Sequence, residues 1–516
     1  MGIVQNGSIN TTALLVPGVY EQIAPPPQQN LNGVPTNILG VIGTAAWGPK
    51  NSPVIVGTMA QYAAIFGALQ ARKYDMGTSV ATAMAQGASN FRCVRVTDGT
   101  DTAAQVIVQT NGITFSSKYT GSLGNGASVS IAAGSQANTW KVVVGMPGIT
   151  PESFDNIGAG LSGNAIWVAI AAAINGGTTA LRGPSQLITA TAGASATAPV
   201  VGTFSLAGGT DGVTTITGSV LVGTDGTTRT GLYALRGTGA ANALLADCDD
   251  STTWATQVAY GQSEGTEMVL TGPAGDTIAN AITTKSTAGI DSPWAKLMFG
   301  DWVYWLDSYN NGLRLVSPQG FAAGMLSVLD PSESPLNAPL QAVAGTQKSN
   351  ANQQYSVADL QSLVQAGIEV IANPSPGGAY FSCQFGHNTS SNPLTNGDAY
   401  TRMTDYLAAT FNAGMGKFVG KKQTATLRQQ AEATLGNFLS SLQKAEMIGN
   451  ADGSSPAFDV TCDNTNNPQA QVALGFMQAN VEVTYLAIVE KFLINLVGGT
   501  SVVVQRQSVQ SLQAGA

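Results

Sequence analysis

The chain has 516 residues, 61 of them glycine, with 10% charged side chains and a net charge of −8. Ordinary soluble domains carry about 25% charge, so a surface this poor in ions is expected to be covered by subunit contacts. The acidic balance argues against general nucleic-acid binding, and no apolar run reaches the roughly 20 residues of a membrane span.

Residues 1–15 are polar and loosely alternating, with no helical period. Val16-Pro-Gly-Val-Tyr20 opens the first ordered segment, and Pro25-Pro-Pro27 makes a stiff spacer. A continuous apolar run over 38–42 predicts a buried strand, and Val54-Ile-Val56 a second. Residues 59–66 and 77–88 predict helices, and 91–97 a third strand. Strand and helix alternate, which predicts an α/β unit.

From 98 to 285 glycine, threonine, serine and alanine dominate. Turn pairs recur at Asn111-Gly112, Asn125-Gly126 and Asp225-Gly226. Strands are predicted over 127–132 and 140–144, and helices over 165–174 and 277–283. This composition predicts an inserted, mostly β region, one domain or two.

After Trp294 the α/β character returns. Strands are predicted over 300–306, 368–372 and 380–385, and helices over 321–329, 360–366 and 399–412. The last helix leads into Lys417, Lys421 and Lys422. Leu427, Ala431, Leu435, Phe438, Leu439 and Leu442 then recur at the three- and four-residue spacing of a buried helix face. Residues 458–462 alternate as a half-buried strand does, and Asp463-Asn-Thr-Asn-Asn-Pro468 is a turn whose side chains can bond their own backbone. Further strands are predicted over 481–485 and 488–497. Beyond Gly498-Gly499 one more strand, 500–505, has nothing after it to pair with. Such a strand presents unpaired backbone donors and acceptors. Either it folds back on its own sheet or it is given to another copy.

Signatures of catalysis are missing. The one histidine, His387, sits in a Ser/Asn-rich segment without a nucleophile elbow. Gly414-Met-Gly-Lys417 resembles the end of a phosphate loop, but Phe411 and Phe418 stand where Gly and Ser/Thr belong. The 463–468 turn lacks the glycine and closing glutamate of a calcium loop. Cys93, Cys248, Cys383 and Cys462 lie far apart without CxxC spacing, as expected of buried thiols in a reducing compartment. No basic-then-apolar leader precedes the first strand, so export by signal peptide is not expected. No enzyme activity, cofactor or metal is expected.

Several motifs, in order, resemble those of bacteriophage contractile-tail sheath proteins. Pro17-Gly-Val-Tyr20, Gly40-Val-Ile-Gly43, Trp47-Gly-Pro49 and the 54–66 strand-helix closed by Gly67 are similar to that family's N-terminal segment. Tyr119-Thr-Gly-Ser-Leu-Gly-Asn125, Leu206-Ala-Gly-Gly-Thr-Asp-Gly212 and Thr230-Gly-Leu232 resemble its inserted region. Ser317-Pro-Gln-Gly320, Ala322-Ala-Gly324, Asp330 and Asn337-Ala-Pro339 resemble the point where its main domain resumes. Gly367-Ile-Glu-Val-Ile-Ala-Asn373 and Cys462-Asp-Asn-Thr-Asn-Asn-Pro468 resemble its C-terminal part. Pro374-Ser-Pro376 departs from the glycines more usual there.

The resemblance implies an α/β (α+β) fold: a discontinuous main sheath domain (20–97 and 286–498), an inserted, mostly β outer region (98–285), and extended arms (1–19 and 499–516). It implies a structural subunit that forms stacked hexameric rings around a tail tube and contracts to drive the tube through the host envelope. The expected partners are further copies, the tube protein, and baseplate and tail-terminator proteins, without direct nucleic-acid contact or membrane insertion. The expected place is the virion tail, after assembly in the host cytoplasm. Family arms add strands to a neighbour's sheet. Here that assigns donated strands around Ile3, Val4, Ile9 and Leu14 and around Val502, Val503 and Val504. The accepting sheet is then expected around Val481, Val483, Phe492 and Ile494. The cations Lys417, Lys421, Lys422 and Arg428 are the candidates for facing the tube. The alternatives are a tail adhesin, suggested by the Gly/Thr/Ser-rich insert, and the sheath of a phage-tail-like injection particle.

Overall fold

The computed structural model describes residues 3–6, 20–23, 31–179, 181–494 and 496, the first two segments as backbone. Its centre is a six-stranded sheet in the order Ala295–Met298, Glu267–Thr271, Asn242–Leu245, Leu39–Gly43, Phe91–Arg95 and Val54–Val56. The five leading strands run parallel, and Val54–Val56 closes the edge antiparallel. A parallel sheet is covered on both faces, which is why these strands read as unbroken apolar runs. Alternate residues serve two cores. Leu39, Val41, Phe91, Cys93, Leu244 and Val269 face the helices Met76–Ala85 and Gln319–Val328. Ile42, Val94, Leu245, Met268 and Leu270 face the other side, with Trp254, Tyr260 and Leu363.

The two helices on the first face meet through small residues. A Cβ added to Gly324 would lie 2.6 Å from the Cα of Ala83, and one added to Gly320 would lie 2.0 Å from Thr82 Oγ1. Only side chains this small let the backbones approach so closely, as with the third, packing glycine of nucleotide-binding folds.

The β-rich insert is shorter than its composition suggests. An antiparallel sheet (Ile149–Ile157, Trp140–Met146, Ser128–Ala133, Gly202–Ser205) and a three-stranded one (Ile188–Ala192, Ile113–Ser117, Gln105–Val108) enclose a separate core. Trp167 of the Asn164–Gly176 helix fills that core with Phe115 and Phe154. This core ends at Leu206, whereas Ile216, Leu221 and Leu232 pack under the central sheet. The expected boundary at 285 is therefore corrected: strands Asn242–Leu245 and Glu267–Thr271 are members of the main sheet. Arg95 fixes the insert in place. Its buried guanidinium donates to the carbonyls of Gly48 (2.8 Å), Thr120 (2.8 Å) and Asp211 (3.3 Å).

A C-terminal module has its own small core. Helix Asp398–Met415 packs through Met403 and Leu407 on Leu435, Phe438, Leu439 and Leu442 of helix Ala425–Lys444. Thr424 caps the second helix, accepting from the N–H of Leu427 at 3.1 Å. The antiparallel pair Phe458–Thr461 and Asn480–Val483 lies against this helix through Val460, Val481 and Val483.

Candidate assembly surfaces

The segments that begin at residue 31 and end at residue 485 converge on the C-terminal module. Leu31 is buried in its core, and the N–H of Val34 donates to Thr410 Oγ1 at 3.2 Å. The incoming segment therefore lies along helix Asp398–Met415. At the other end, Thr484 still bonds Ala457 (2.8 Å), and Tyr485 Oη stands 3.0 Å from Thr404 Oγ1.

Among the described residues, Phe458–Thr461 and Asn480–Val483 form a sheet of two strands. Each strand has one neighbour, so each keeps one edge whose backbone groups can take another strand. Val481 and Val483 turn into the core while Glu482 stays exposed, the alternation a half-buried strand requires. These two members of the expected accepting sheet are thus in a sheet. Phe492 and Ile494 are not: residues 486–494 have no regular structure, and the two side chains are 83% and 72% exposed. A strand exists only with a ladder partner, and apolar composition alone does not supply one. Val489, Leu493 and Leu496 are exposed as well, so the run shows several large apolar side chains to solvent on either side of Glu490 and Lys491.

The segment is nonetheless held at one point. His387 Nε2 lies 2.9 Å from Glu490 Oε1, beside a cavity of about 610 Å³ lined by Leu329, Leu336, Val364 and Phe385 of the main body and by Ile488 and Val489.

The donated-strand candidates fall mostly outside the described residues: Ile9, Leu14, Val502, Val503 and Val504 all do. Ile3 and Val4 belong to strand Ile3–Asn6, which pairs in parallel with Tyr20–Ile23 of the same chain. This is a two-stranded ribbon separate from the other sheets.

The four cations divide. Lys417 and Lys421 stand 5.4 and 5.7 Å from the ring of the buried Phe418, and Lys421 and Lys422 are exposed. Arg428 is not an outward-facing cation. It is buried and donates to Asn464 Oδ1 at 2.6 Å, tying the Ala425–Lys444 helix to the asparagine-rich turn. Lys421 sits on an apolar groove of about 610 Å³ lined by Phe411, Met415, Phe418, Phe476, Met477 and Val481. Sequence reading missed this groove, because its walls come from segments 60 residues apart.

The junction between module and main body is ionic and dry. Lys296 Nζ donates to Asp398 Oδ2 (2.6 Å), Glu369 Oε2 (2.9 Å) and the carbonyl of His387 (3.0 Å), and all three side chains in its two ion pairs are fully buried. Burial alone would lower Lys296, but Asp398 and Glu369 hold its ammonium well above the usual range. Burial would likewise raise Glu369. Instead Lys296 and the N–H groups of Val370, Gln384, Phe385 and Gly386 hold its carboxyl below the ordinary value. One turn on, Arg402 donates to the carbonyls of Leu326 (2.6 Å) and Leu329 (2.8 Å), capping the Gln319–Val328 helix. All four cysteines are buried free thiols. Among the described residues no cluster of three metal-ligating side chains occurs and no helix is long and apolar enough to cross a membrane.

No known family model and no curated protein matches the chain. Solved structures do. The sheath tail protein of Desulfitobacterium hafniense is similar over 86% of this chain and 93% of its own, at 16% identity and a TM-score of 0.57. That of Listeria innocua is similar over 85% and 91%, at 12% identity and a TM-score of 0.60. The sheath of an extracellular contractile injection system, in its contracted state, is similar over 94% and 98%, at 11% identity and a TM-score of 0.55. The shared feature is the fold, the α/β fold of these sheath proteins.

Proposed function

We propose that this chain is the structural subunit of a contractile tail sheath. It polymerises as stacked six-membered rings around a tail tube and contracts to drive the tube through a host envelope. The observation that carries the reading is the C-terminal module: a two-stranded sheet with open edges, from which an exposed apolar segment leads toward the C-terminus. The full-length likeness to sheath proteins supports it. In this reading a neighbour's arm adds a strand to Asn480–Val483 or Phe458–Thr461. Main-chain bonds then link copies while rings rotate, and contraction draws on two packings of one chain that differ in free energy. The tube, baseplate and terminator proteins are the partners, and the subunit is a particle component.

The injection-system sheath is matched over nearly its whole length, so a phage-tail-like injection particle is the second reading. Micrographs of the native particle, with or without a DNA-filled head, separate the two.

The test is deletion of residues 500–516. The truncated subunit is expected to fold and stay soluble but not to polymerise. Full-length sheath-like tubes from the truncated protein in electron micrographs overturn the reading.

A further inference from the structure

A second cavity, of about 350 Å³, lies between helix Asp398–Met415 and the edge of the central sheet. Its walls are the incoming segment at Val34 and Ile38, the loop 237–242, and Asp405 and Tyr406 of the helix. Glu267 and Asn242, the first residues of two central strands, line it as well.

Both residues are sealed from bulk solvent, at 3% and 1% exposure. Neither carboxylate oxygen of Glu267 has a hydrogen-bond partner, and neither does Asn242 Oδ1, among the described residues. A buried polar atom without a partner costs about 1–3 kcal/mol, more when charged, so three together in one cavity require an explanation. Nearby cations do not supply it. Arg402, which also lines the cavity, spends its guanidinium on the carbonyls of Leu326, Leu329, Asp330 and Glu333. Arg236 lies 3.6 Å from Glu264, at the cavity's edge.

The unmatched atoms are all acceptors. With Glu267 ionised, a group that only donates and carries positive charge satisfies all three at once, and an ammonium or a guanidinium is such a group. An anion is excluded by the carboxylates. A metal ion is disfavoured, since no cluster of three ligating side chains occurs among the described residues. The apolar side walls, Val34, Ile38 and Tyr406, suit the methylene stem of such a group, with its charged head against the acid.

We propose that this cavity binds an alkyl-ammonium or alkyl-guanidinium group, held by Glu267, Asn242 and Asp405. The cation comes either from a free aliphatic amine or from a lysine side chain of a second copy. The electrostatics agree. Burial, with the charge of Asp398 adding to it, pushes Glu267 up to about 8, and burial pushes Asp405 up to about 6. An entering cation therefore ionises Glu267 and expels its proton.

The experiment titrates the purified full chain at pH 7 with agmatine, 1,4-diaminobutane and spermidine, by calorimetry in two buffers of different ionisation enthalpy. Saturable binding with proton release, weakened at least tenfold in both Glu267→Gln and Asp405→Asn, is expected if the source is a free amine. If the source is a second copy, free amines do not bind. Carbodiimide treatment of concentrated protein then gives an inter-chain amide from a lysine to Asp405, read by mass spectrometry, and Glu267→Gln reduces its yield. Binding equal in wild type and both variants overturns the proposal, as does the absence of both amine binding and the lysine–Asp405 adduct. The inference does not rest on the sheath reading: amine binding by a chain that never polymerises would fail that reading and support this one.

Discussion

Nε2 of His387 and Oε1 of Glu490 stand 2.9 Å apart, so the chain's one histidine ties the trailing C-terminal segment to the main body. The pair is partly exposed, at 13% and 40% of its side-chain surfaces, and a pair of this kind contributes at most about 1 kcal/mol. Its effect is therefore local. In Glu490→Gln, proteolysis and hydrogen exchange are expected to rise within 486–494 while the global unfolding midpoint stays unchanged. A shift of the global midpoint would show that the segment is part of the cooperative fold.

Lys296 is the opposite case. Replacing it by Ala leaves Glu369 and Asp398 facing each other in a dry interior, and such a loss typically costs about 3–5 kcal/mol. Urea denaturation measures this. Because Lys296 depresses Glu369, that carboxylate's contribution is present above its ordinary value near 4.5 and is lost as pH falls through its lower folded value. The wild type is thus expected to lose stability on acidification more steeply than the Lys296→Ala protein.

Glu267 acts with the other sign. Its folded value of about 8, against an ordinary 4.5, means that the native state holds a proton the unfolded chain has released. Stability falls as pH rises from about 4.5 to about 8 and is flat beyond. Asp247, raised to about 7, and Asp75, raised to about 6, both by burial, add to the same slope. Glu267→Gln removes its share, on the order of 2–4 kcal/mol at pH 8. Melting temperatures measured from pH 5 to pH 8 should converge at the acid end and separate at the alkaline end.

Glycine-to-alanine changes inside helices usually stabilise, by about 0.5–1 kcal/mol. Gly324→Ala is expected to do the reverse. The new methyl would sit 2.6 Å from Ala83 Cα and 2.7 Å from its carbonyl oxygen, and such overpacking costs about 1–3 kcal/mol. Thermal denaturation of Gly324→Ala beside Gly436→Ala, whose Cβ meets nothing within 4 Å, separates crowding from propensity.

The exposed pair Lys421 and Lys422 remains the candidate for tube contact. Reversing both charges is expected to weaken assembly around the tube by slowing electrostatic encounter, while tubeless polysheath still forms. Equal loss of both products would count against a tube-specific role.

Regular alternation was easy to read. The strands near 38–42 and 91–97 stand out as short apolar-rich runs, and the buried face of helix Ala425–Lys444 by the period that runs through it. The end of the insert did not. Residues 213–240 keep the glycine-threonine composition of the insert although they pack under the central sheet. The strands that follow begin with Asn242 and Glu267, polar residues that break an apolar run. The cavity behind those two residues was hidden for the same reason, since a polar residue at a strand's start reads as solvated. The buried ion cluster joins Lys296, Glu369 and Asp398, about 100 residues apart at its extremes, and no local pattern announces such a meeting. Over 488–494 composition overstated the case, because a β-forming sequence with no ladder partner among the described residues forms no strand.

The Asp398–Met415 helix is anchored at its first turns, by Asp398 on Lys296 and by Arg402 on the end of a neighbouring helix, while its far half packs on helix Ala425–Lys444, which carries the two-stranded sheet. It is therefore built as a lever arm. Tension applied along the Asn480–Val483 edge would pass through both helices into the buried ion pairs of Lys296, where module and main body are joined.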